Sequence, residues 1–179
     1  LQGLPLQRLR YRWAAMNPCT SDQGGTEDYA GSEALDPALA DRFALVVNAA
    51  DWSELTAEQQ AAIVAPSGEG KVTPVNESLR SSLAQWRERF VEQANACPPQ
   101  VTTYVTTVVS ALNGARIRIS PRRARLLARS LVAATLIAGR ATSSTFKSVL
   151  ECSLPHSTWG QAVEPAVVAA AHRAGWEAS

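Results

Sequence analysis

Three polar residues stand where a side chain could contact a phosphate group: Asn17, Arg42 and Arg122. Asn17 follows residues 9–16, a run that mixes arginines with aromatic and apolar residues and is predicted to form a buried strand. At the end of such a strand, a neutral amide can hold a water molecule or a phosphate oxygen without titrating. Asparagine before proline also begins ordinary turns. The local pattern therefore leaves a turn and a phosphate contact both open.

Arg42 is the only basic residue between Asp22 and Glu58. The planar, permanently charged guanidinium group stabilises a phosphoryl group during transfer, and a neighbouring subunit can supply it as an arginine finger. The alternative is a local ion pair between Arg42 and the carboxylate of Asp36 or Asp41.

Arg122 follows Ser120 and Pro121, a pair that is typical of a helix start. Its guanidinium is expected to lie beside free backbone N–H groups at the positive end of the helix dipole, where anions bind. The other arginines of this helix are interpreted as a solvated face: Arg123, Arg125 and Arg129.

Two strands and a short helix are predicted to position Asn17 and Arg42. The strands are residues 9–16 and residues 43–47, which are rich in β-forming side chains. The short helix begins at Asp36, a favoured N-cap, with Pro37 at the first helical position. We place a domain boundary after residue 49.

Residues 50–179 are predicted to form an all-helical domain, because no later segment has the pattern of a strand. One helix has a cap at Asn76 and an apolar face that comprises Leu79, Leu83, Trp86, Phe90 and Ala94. The other predicted helices cover residues 52–65, 99–112 with an end at Asn113 and Gly114, 121–138 with an end at Gly139, a segment from a cap at Ser143 or Ser144 to Leu154, and 165–173.

This order of features resembles the C-terminal half of an AAA+ ATPase, closest to the MoxR family. Asn17 matches the sensor 1 position, Arg42 within Ala-Asp-Arg-Phe matches the arginine finger, and Arg122 matches sensor 2. The resemblance implies a mostly α fold: residues 1–49 are a remnant of the α/β nucleotide-binding core, and residues 50–179 are the helical lid.

The resemblance also implies a function. Such proteins form homo-oligomeric rings, expected here as hexamers, hydrolyse ATP with Mg²⁺, remodel other proteins in a chaperone-like manner, and often work with a von Willebrand A-domain protein. Asn17 would position the attacking water and, with Arg122, contact the nucleotide. Arg42 would stabilise the transition state across a subunit interface, and Arg122 would couple the state of the phosphate to the lid.

The chain departs from the family in two respects. It has no phosphate-binding loop: residues 68–71 resemble the end of one, but Ala65 stands where glycine is required and Val72 where serine or threonine is required. It also has no pair of acidic residues after an apolar strand. The chain by itself is therefore expected to be inactive as an ATPase.

Composition narrows the other possibilities. Cys19, Cys97 and Cys152 are widely spaced and form no CxxC pair, which favours a reducing, cytoplasmic setting. Cys152 and His156 give only two of the four ligands of a structural zinc site, so no metal site is predicted. The longest apolar run, residues 131–139, is far shorter than the roughly 20 residues of a membrane helix, so no membrane role is expected.

Two other functions remain open. Residues 116–129 are strongly basic, although the formal net charge of the chain is only +1. A non-enzymatic helical module could use them to bind nucleic acid or an acidic partner, with an affinity that falls steeply with salt. Nucleic acid is the less favoured partner, because no aromatic residues alternate with the arginines. A lid that only mediates assembly is the third possibility.

Overall fold

The computed structural model describes residues 14–15, 35–65, 76–155 and 163–179. These residues are mostly helical and contain no strand, so the prediction of a mostly α protein is confirmed for them. Asn17 and most of the predicted strand at residues 9–16 lie outside the described residues.

The described elements, in chain order, are α1 (Pro37–Ala40), a 3-10 helix (Trp52–Glu54), α2 (Ala57–Val64), α3 (Glu77–Ala96), α4 (Pro99–Gly114), α5 (Pro121–Ala138), α6 (Ser143–Ser153) and α7 (Pro165–Ala178). None of these helices is both long and apolar enough to cross a membrane.

Three predicted helix boundaries are confirmed by their local hydrogen bonds and backbone geometry. The Asn76 side chain accepts hydrogen bonds from the backbone N–H groups of Ser78 and Leu79 at the start of α3. The Ser120 hydroxyl accepts one from the Arg123 N–H at the start of α5. Gly139 ends α5 in the left-handed conformation, with a φ of 75°. These boundaries were predictable because each depends on one residue type in its own turn.

Other helix boundaries differ from the prediction. Residues 52–65 do not form one helix, since two consecutive capping boxes, begun by Asp51 and Thr56, start a 3-10 helix and then α2. Helix α4 continues through Gly114, and the Asn113 side chain accepts a hydrogen bond from the Ile119 N–H at 3.0 Å. The cap of α6 is Thr142, and α7 continues past Arg173 to Ala178.

The predicted strand at residues 43–47 is wrong. This segment is irregular, and Val46 donates a backbone hydrogen bond to the Cys152 carbonyl at the end of α6. A strand needs a neighbouring strand to complete its ladder, and none exists among the described residues. Phe43 and Val46 are half-buried, whereas Leu45 is 47% exposed and Val47 is 79% exposed, so the segment packs only partly against the described residues.

The hydrophobic core lies where α4, α5, α6 and α7 meet. Its largest fully buried side chains include Tyr104, Phe146, Leu112 and Leu131. The rings of Tyr104 and Phe146 meet edge to face with their centroids 4.8 Å apart, an arrangement that the ring quadrupoles favour.

Helix α3 uses only part of its predicted apolar face. Phe90 packs against the core, but Leu79 is 50% exposed and Leu83 is 54% exposed. Helical periodicity predicts which face is apolar, but it does not predict how far along that face a neighbouring helix extends.

Gly175 marks the closest approach of α7 to α4. A Cβ atom on Gly175 would lie 2.5 Å from Cγ2 of Val108 and 3.1 Å from Cδ2 of Tyr104. Both side chains are fully buried. We expect Gly175→Ala to lower the free energy of unfolding by about 1–3 kcal/mol through overpacking, although alanine is the better helix former.

Gly114→Ala is the matched control, because a Cβ atom on Gly114 has no neighbouring atom within 4 Å. Urea unfolding of the two variants measures the difference. Equal stability of both variants would show that the α4–α7 contact is looser than described.

Candidate functional site

The start of α5 contains a buried arginine, Arg123, which is only 4% exposed. Its Nε donates to Oδ1 of Asp41 at 3.0 Å. One terminal nitrogen donates to the Ser153 carbonyl at 2.7 Å and the other to the Ala40 carbonyl at 2.8 Å. Ala40 and Ser153 are the last residues of α1 and α6, where the partial negative charge of a helix end favours a cation.

Asp41 completes this cluster. Its second carboxylate oxygen accepts a hydrogen bond from the Ser120 hydroxyl at 2.6 Å. The same serine caps α5, so one residue both starts the helix and orients the carboxylate that pairs with Arg123. We call Ala40, Asp41, Ser120, Arg123 and Ser153 the α5 clamp, because they join α1, α5 and α6.

The prediction that Arg123 belongs to a solvated face is therefore wrong. Arg125 and Arg129 are exposed, as predicted. Periodicity places Arg122, Arg125 and Arg129 on one line, and Arg123 lies off that line, four residues before the buried Leu127. The local signal that could have identified the pair is Asp41, an acidic residue directly before Arg42.

Beside the α5 clamp lies an open cleft of about 520 Å³ between α1 and the start of α5. Asp41, Ser120 and Arg123 line it together with Asn113 and the exposed Arg118. Because Asp41 balances the charge of Arg123, the positive charge available to an anion in this cleft is that of Arg118.

Arg42 is exposed and forms no ion pair with a described residue. The alternative of a local pair with Asp36 or Asp41 is not formed. The Asp36 side chain accepts hydrogen bonds from the Ala38 and Leu39 N–H groups at the start of α1. The carboxylate of Asp41 is occupied by Arg123 and Ser120. The guanidinium of Arg42 therefore stays available for contacts outside this part of the chain.

Arg122 is also exposed, and it is not among the residues that line the cleft. It directly precedes Arg123, just as Arg42 directly follows Asp41. The 3.0 Å contact between Asp41 and Arg123 therefore brings the backbones at Arg42 and Arg122 into the same region of the fold. The position of Asn17 relative to them lies outside the described residues.

A basic surface surrounds this region. Its members are exposed and form no ion pair within the described structure: Arg116, Arg118, Arg122, Arg125 and Arg129. Arg116 begins this surface with a φ of 65°, a left-handed conformation that turns the chain between α4 and α5. The arginines of the predicted basic stretch, residues 116–129, are thus exposed except for Arg123.

A second polar cluster lies in the core, around His172 of α7. Its Nδ1 lies 2.8 Å from the Tyr104 hydroxyl of α4, and its Nε2 lies 3.0 Å from the Ser143 hydroxyl of α6. Because both hydroxyls can donate or accept, either neutral tautomer satisfies both bonds. The cluster connects α4, α6 and α7. Sequence reasoning did not identify it, because Tyr104 and Ser143 are 68 and 29 residues away from His172 in the sequence.

Burial lowers the pKa of His172 from its ordinary value of 6.5, and the nearby Lys147 lowers it further, against an opposing effect of Glu151. Burial also raises the pKa of the Tyr104 hydroxyl, which stays neutral. The cluster therefore holds a neutral imidazole in the folded chain at neutral pH.

Stability should consequently depend on pH. Below pH 6.5 the unfolded chain takes up a proton on this histidine more readily than the folded chain does. We expect the free energy of unfolding to fall as the pH drops from 6.5 towards the lower pKa of folded His172, and the dependence to weaken in His172→Gln. Urea unfolding at pH 7.5, 6.5 and 5.5 tests this. A wild-type stability that rises with acidification would contradict it.

The described residues contain no group of three or more His, Cys, Asp or Glu side chains that could hold a metal ion. His156, one of the two candidate zinc ligands, and residues 68–71 lie outside the described residues. The exposed arginines suit the phosphates of ATP. Mg²⁺ has no carboxylate cluster of that size among the described residues, so the fit to Mg-ATP is partial.

Comparison of this chain with known protein families, with characterised proteins and with solved structures gives no match.

Proposed function

We propose that this chain is the sensor and lid portion of a MoxR-type AAA+ ATPase, in which it couples ATP binding and hydrolysis to conformational change. The observation that carries the proposal is the bond between Asp41 and Arg123. It joins the segment with the candidate arginine finger, Arg42, to the helix with the candidate sensor 2 residue, Arg122.

The α5 clamp offers a physical route for that coupling. A phosphate that attracts Arg122 would pull on the first turn of α5, where Ser120 and Arg123 hold Asp41. Because Arg42 follows Asp41 directly, a shift at the start of α5 reaches Arg42 through bonded neighbours. Two sites that bias one shared element are coupled in free energy.

The remaining roles in this proposal come from the resemblance. Asn17 positions the attacking water, and Arg42 acts across a subunit interface. ATP and Mg²⁺ are held mainly by a phosphate-binding loop and paired acids outside this chain. The assembly is a homo-oligomeric ring in the cytoplasm with chaperone-like activity and a von Willebrand A-domain partner.

Titration of the chain with a fluorescent ATP analogue and Mg²⁺ is the first test. We expect no saturable binding in the micromolar range, because the main phosphate-binding groups are absent from the chain. Saturable micromolar binding would overturn the assignment of this chain to the sensor and lid alone.

A second test locates the weak contact that the proposal requires. With ATP at millimolar concentration, amide chemical shifts are expected to move around Ser120, Pro121 and Arg122, and Arg122→Ala should abolish the change. Arg129→Ala is the matched control, because it removes an equally exposed arginine further along α5. Unchanged shifts around Arg122 would remove the support for a sensor 2 role.

The basic surface favours one second candidate, a module that binds nucleic acid or another acidic partner through residues 116–129. Five exposed arginines without a described ion pair give sequence-independent attraction to phosphates. Binding to a generic DNA duplex that falls steeply with salt and is lost in a combined Arg125→Ala and Arg129→Ala variant would favour this candidate. Unaltered binding in that variant would show that Arg125 and Arg129 do not contact the duplex.

A further inference from the structure

The three polar residues in the core, Tyr104, Ser143 and His172, form what we call the His172 cluster. Both neutral tautomers of His172 keep its two hydrogen bonds, but only one of them also uses the proton of the Tyr104 hydroxyl. Tyr104 is fully buried, and within the described residues its hydroxyl bonds only to Nδ1 of His172. A buried hydroxyl proton without an acceptor is costly, so the hydroxyl donates to Nδ1. The imidazole proton then lies on Nε2 and is donated to the Ser143 hydroxyl.

A second proton on the imidazole cannot be added without breaking this arrangement. An imidazolium donates from both nitrogens, so the Tyr104 hydroxyl would have to turn its own proton away from Nδ1. That proton would then lie in the core without an acceptor among the described residues. The positive charge itself would lie on a side chain of which only 8% is exposed. Proton uptake therefore opposes the packing of His172 between α4 and α6.

The charged groups around His172 do not compensate for this cost. Helix α4 has no charged residue between Pro99 and Gly114. Helix α6 contributes Lys147 and Glu151, whose effects on the imidazole oppose each other and whose charges pair at 3.7 Å. On α7, the neighbouring Arg173 is exposed. No carboxylate of the described residues forms an ion pair with the imidazole.

The arrangement of the helices lets α7 separate from the others. Its main contacts are with α4 and α6, whereas α5 contacts α3, α4 and α6. Helices α3 to α6 therefore stay joined through α5 when α7 is removed. Local opening with the rest of a domain intact is common for terminal elements of this kind.

We propose that the His172 cluster is an acid-sensitive latch, in which proton uptake by the imidazole releases α7 from α4 and α6 while α3 to α6 stay folded. Release uncovers the uncharged face of α4 that lies beneath Gly175, including Tyr104 and Val108. The latch is independent of the proposed function, because it involves neither nucleotide nor the α5 clamp.

The size of the effect follows from proton linkage. When α7 is open, His172 is in water and titrates near its ordinary pKa of 6.5, whereas burial in the closed state lowers that pKa. The open state therefore binds the proton more tightly, and the closed state loses stability as the pH falls below 6.5. Between pH 7.5 and pH 5.5 we expect the population of the open state to rise by up to about tenfold.

The test is native-state amide hydrogen exchange at pH 7.5 and pH 5.5, with each rate corrected for the intrinsic effect of pH on exchange. We expect residues 168–176 of α7 to exchange through more frequent openings than residues 127–132 of α5, and these openings to increase at pH 5.5. The comparison matters because the global stability of the chain falls with acidification whether or not α7 opens first.

Two histidine variants show which group takes up the proton. His172→Gln keeps a polar side chain that does not titrate, so the openings of α7 should no longer increase with acidification. His156→Gln is the matched control, because it removes the other histidine of the chain, and it should respond like the wild type.

Three results would overturn the proposal. Equal corrected rates for α7 and α5 would show that α7 opens only with the whole chain, and this comparison needs only the wild type. Openings of α7 that do not increase at pH 5.5 would show that proton uptake does not release it. An acid response that persists in His172→Gln would assign the effect to another group.

Discussion

Replacing Arg123 by alanine is expected to lower the free energy of unfolding by about 3 kcal/mol, at the lower end of the range for breaking a buried ion pair. The substitution leaves the carbonyls of Ala40 and Ser153 without their donor and Asp41 without its cation. The lower end applies because the Asp41 side chain is 22% exposed, so water compensates part of the loss. The melting temperature should fall by roughly 6–12 °C.

Arg122→Ala is the matched control for this prediction. It removes an identical side chain from the adjacent, exposed position, so its effect should stay within about 0.5 kcal/mol. Arg123→Lys should recover little, because one ammonium group cannot reach three acceptors in the geometry of a guanidinium fork. Equal melting temperatures for Arg122→Ala and Arg123→Ala would show that the α5 clamp does not stabilise the fold.

A double-mutant cycle with Asp41→Ala isolates the ion pair. If Arg123 and Asp41 interact as described, the double variant should lose less stability than the sum of the single variants. Once Arg123 is removed, Asp41 is a partly buried carboxylate without a cation, so its own removal then costs little stability. Strict additivity would mean that Arg123 acts through the two carbonyls alone.

In a complete, ATP-hydrolysing assembly that contains this chain, Arg42→Ala is expected to lower turnover by roughly 10³- to 10⁵-fold, as in other enzymes that use an arginine finger. The expectation rests on the proposed function and on the exposure of Arg42 without a described ion pair. The stability of the isolated chain should not change, since an exposed side chain without such a partner contributes little to folding.

Arg140→Ala is the control for this second prediction, because it removes another exposed arginine outside the α5 clamp. Steady-state phosphate release measures turnover for both variants. Turnover of Arg42→Ala within a few-fold of the wild type would reject the arginine-finger role. Loss of turnover together with loss of folding would assign Arg42 to structure instead of catalysis.

Most helices of the described residues could be predicted from the sequence, because their boundaries depend on nearby residues. Asn76, Ser120 and Gly139 each set a boundary through their own side chain or backbone conformation. The predictions of secondary structure failed where the sequence is compatible with two local structures. At residues 52–65, consecutive capping boxes replaced one long helix, and at residues 43–47 β-forming residues had no neighbouring strand.

The candidate site was predictable only in part. Arg42 and Arg122 could be singled out because each stands in a recognisable local pattern, and their functional roles remain proposals. Helical periodicity separates Arg123 from Arg125 and Arg129, because Arg123 lies four residues before Leu127 on the apolar face of α5, but only the tertiary structure shows its partners. The same limit applied to His172, whose partners come from two other helices.

The sequence by itself determined the helical character of residues 76–155 and 163–179, the starts of α3 and α5, and the basic charge of residues 116–129. These properties follow from interactions within a turn or two of helix. Only the tertiary structure decided that Arg123 is buried against Asp41, that His172 bridges Tyr104 and Ser143, and that Leu79 and Leu83 remain exposed. Burial depends on which elements meet, and these contacts join residues that are far apart in the chain.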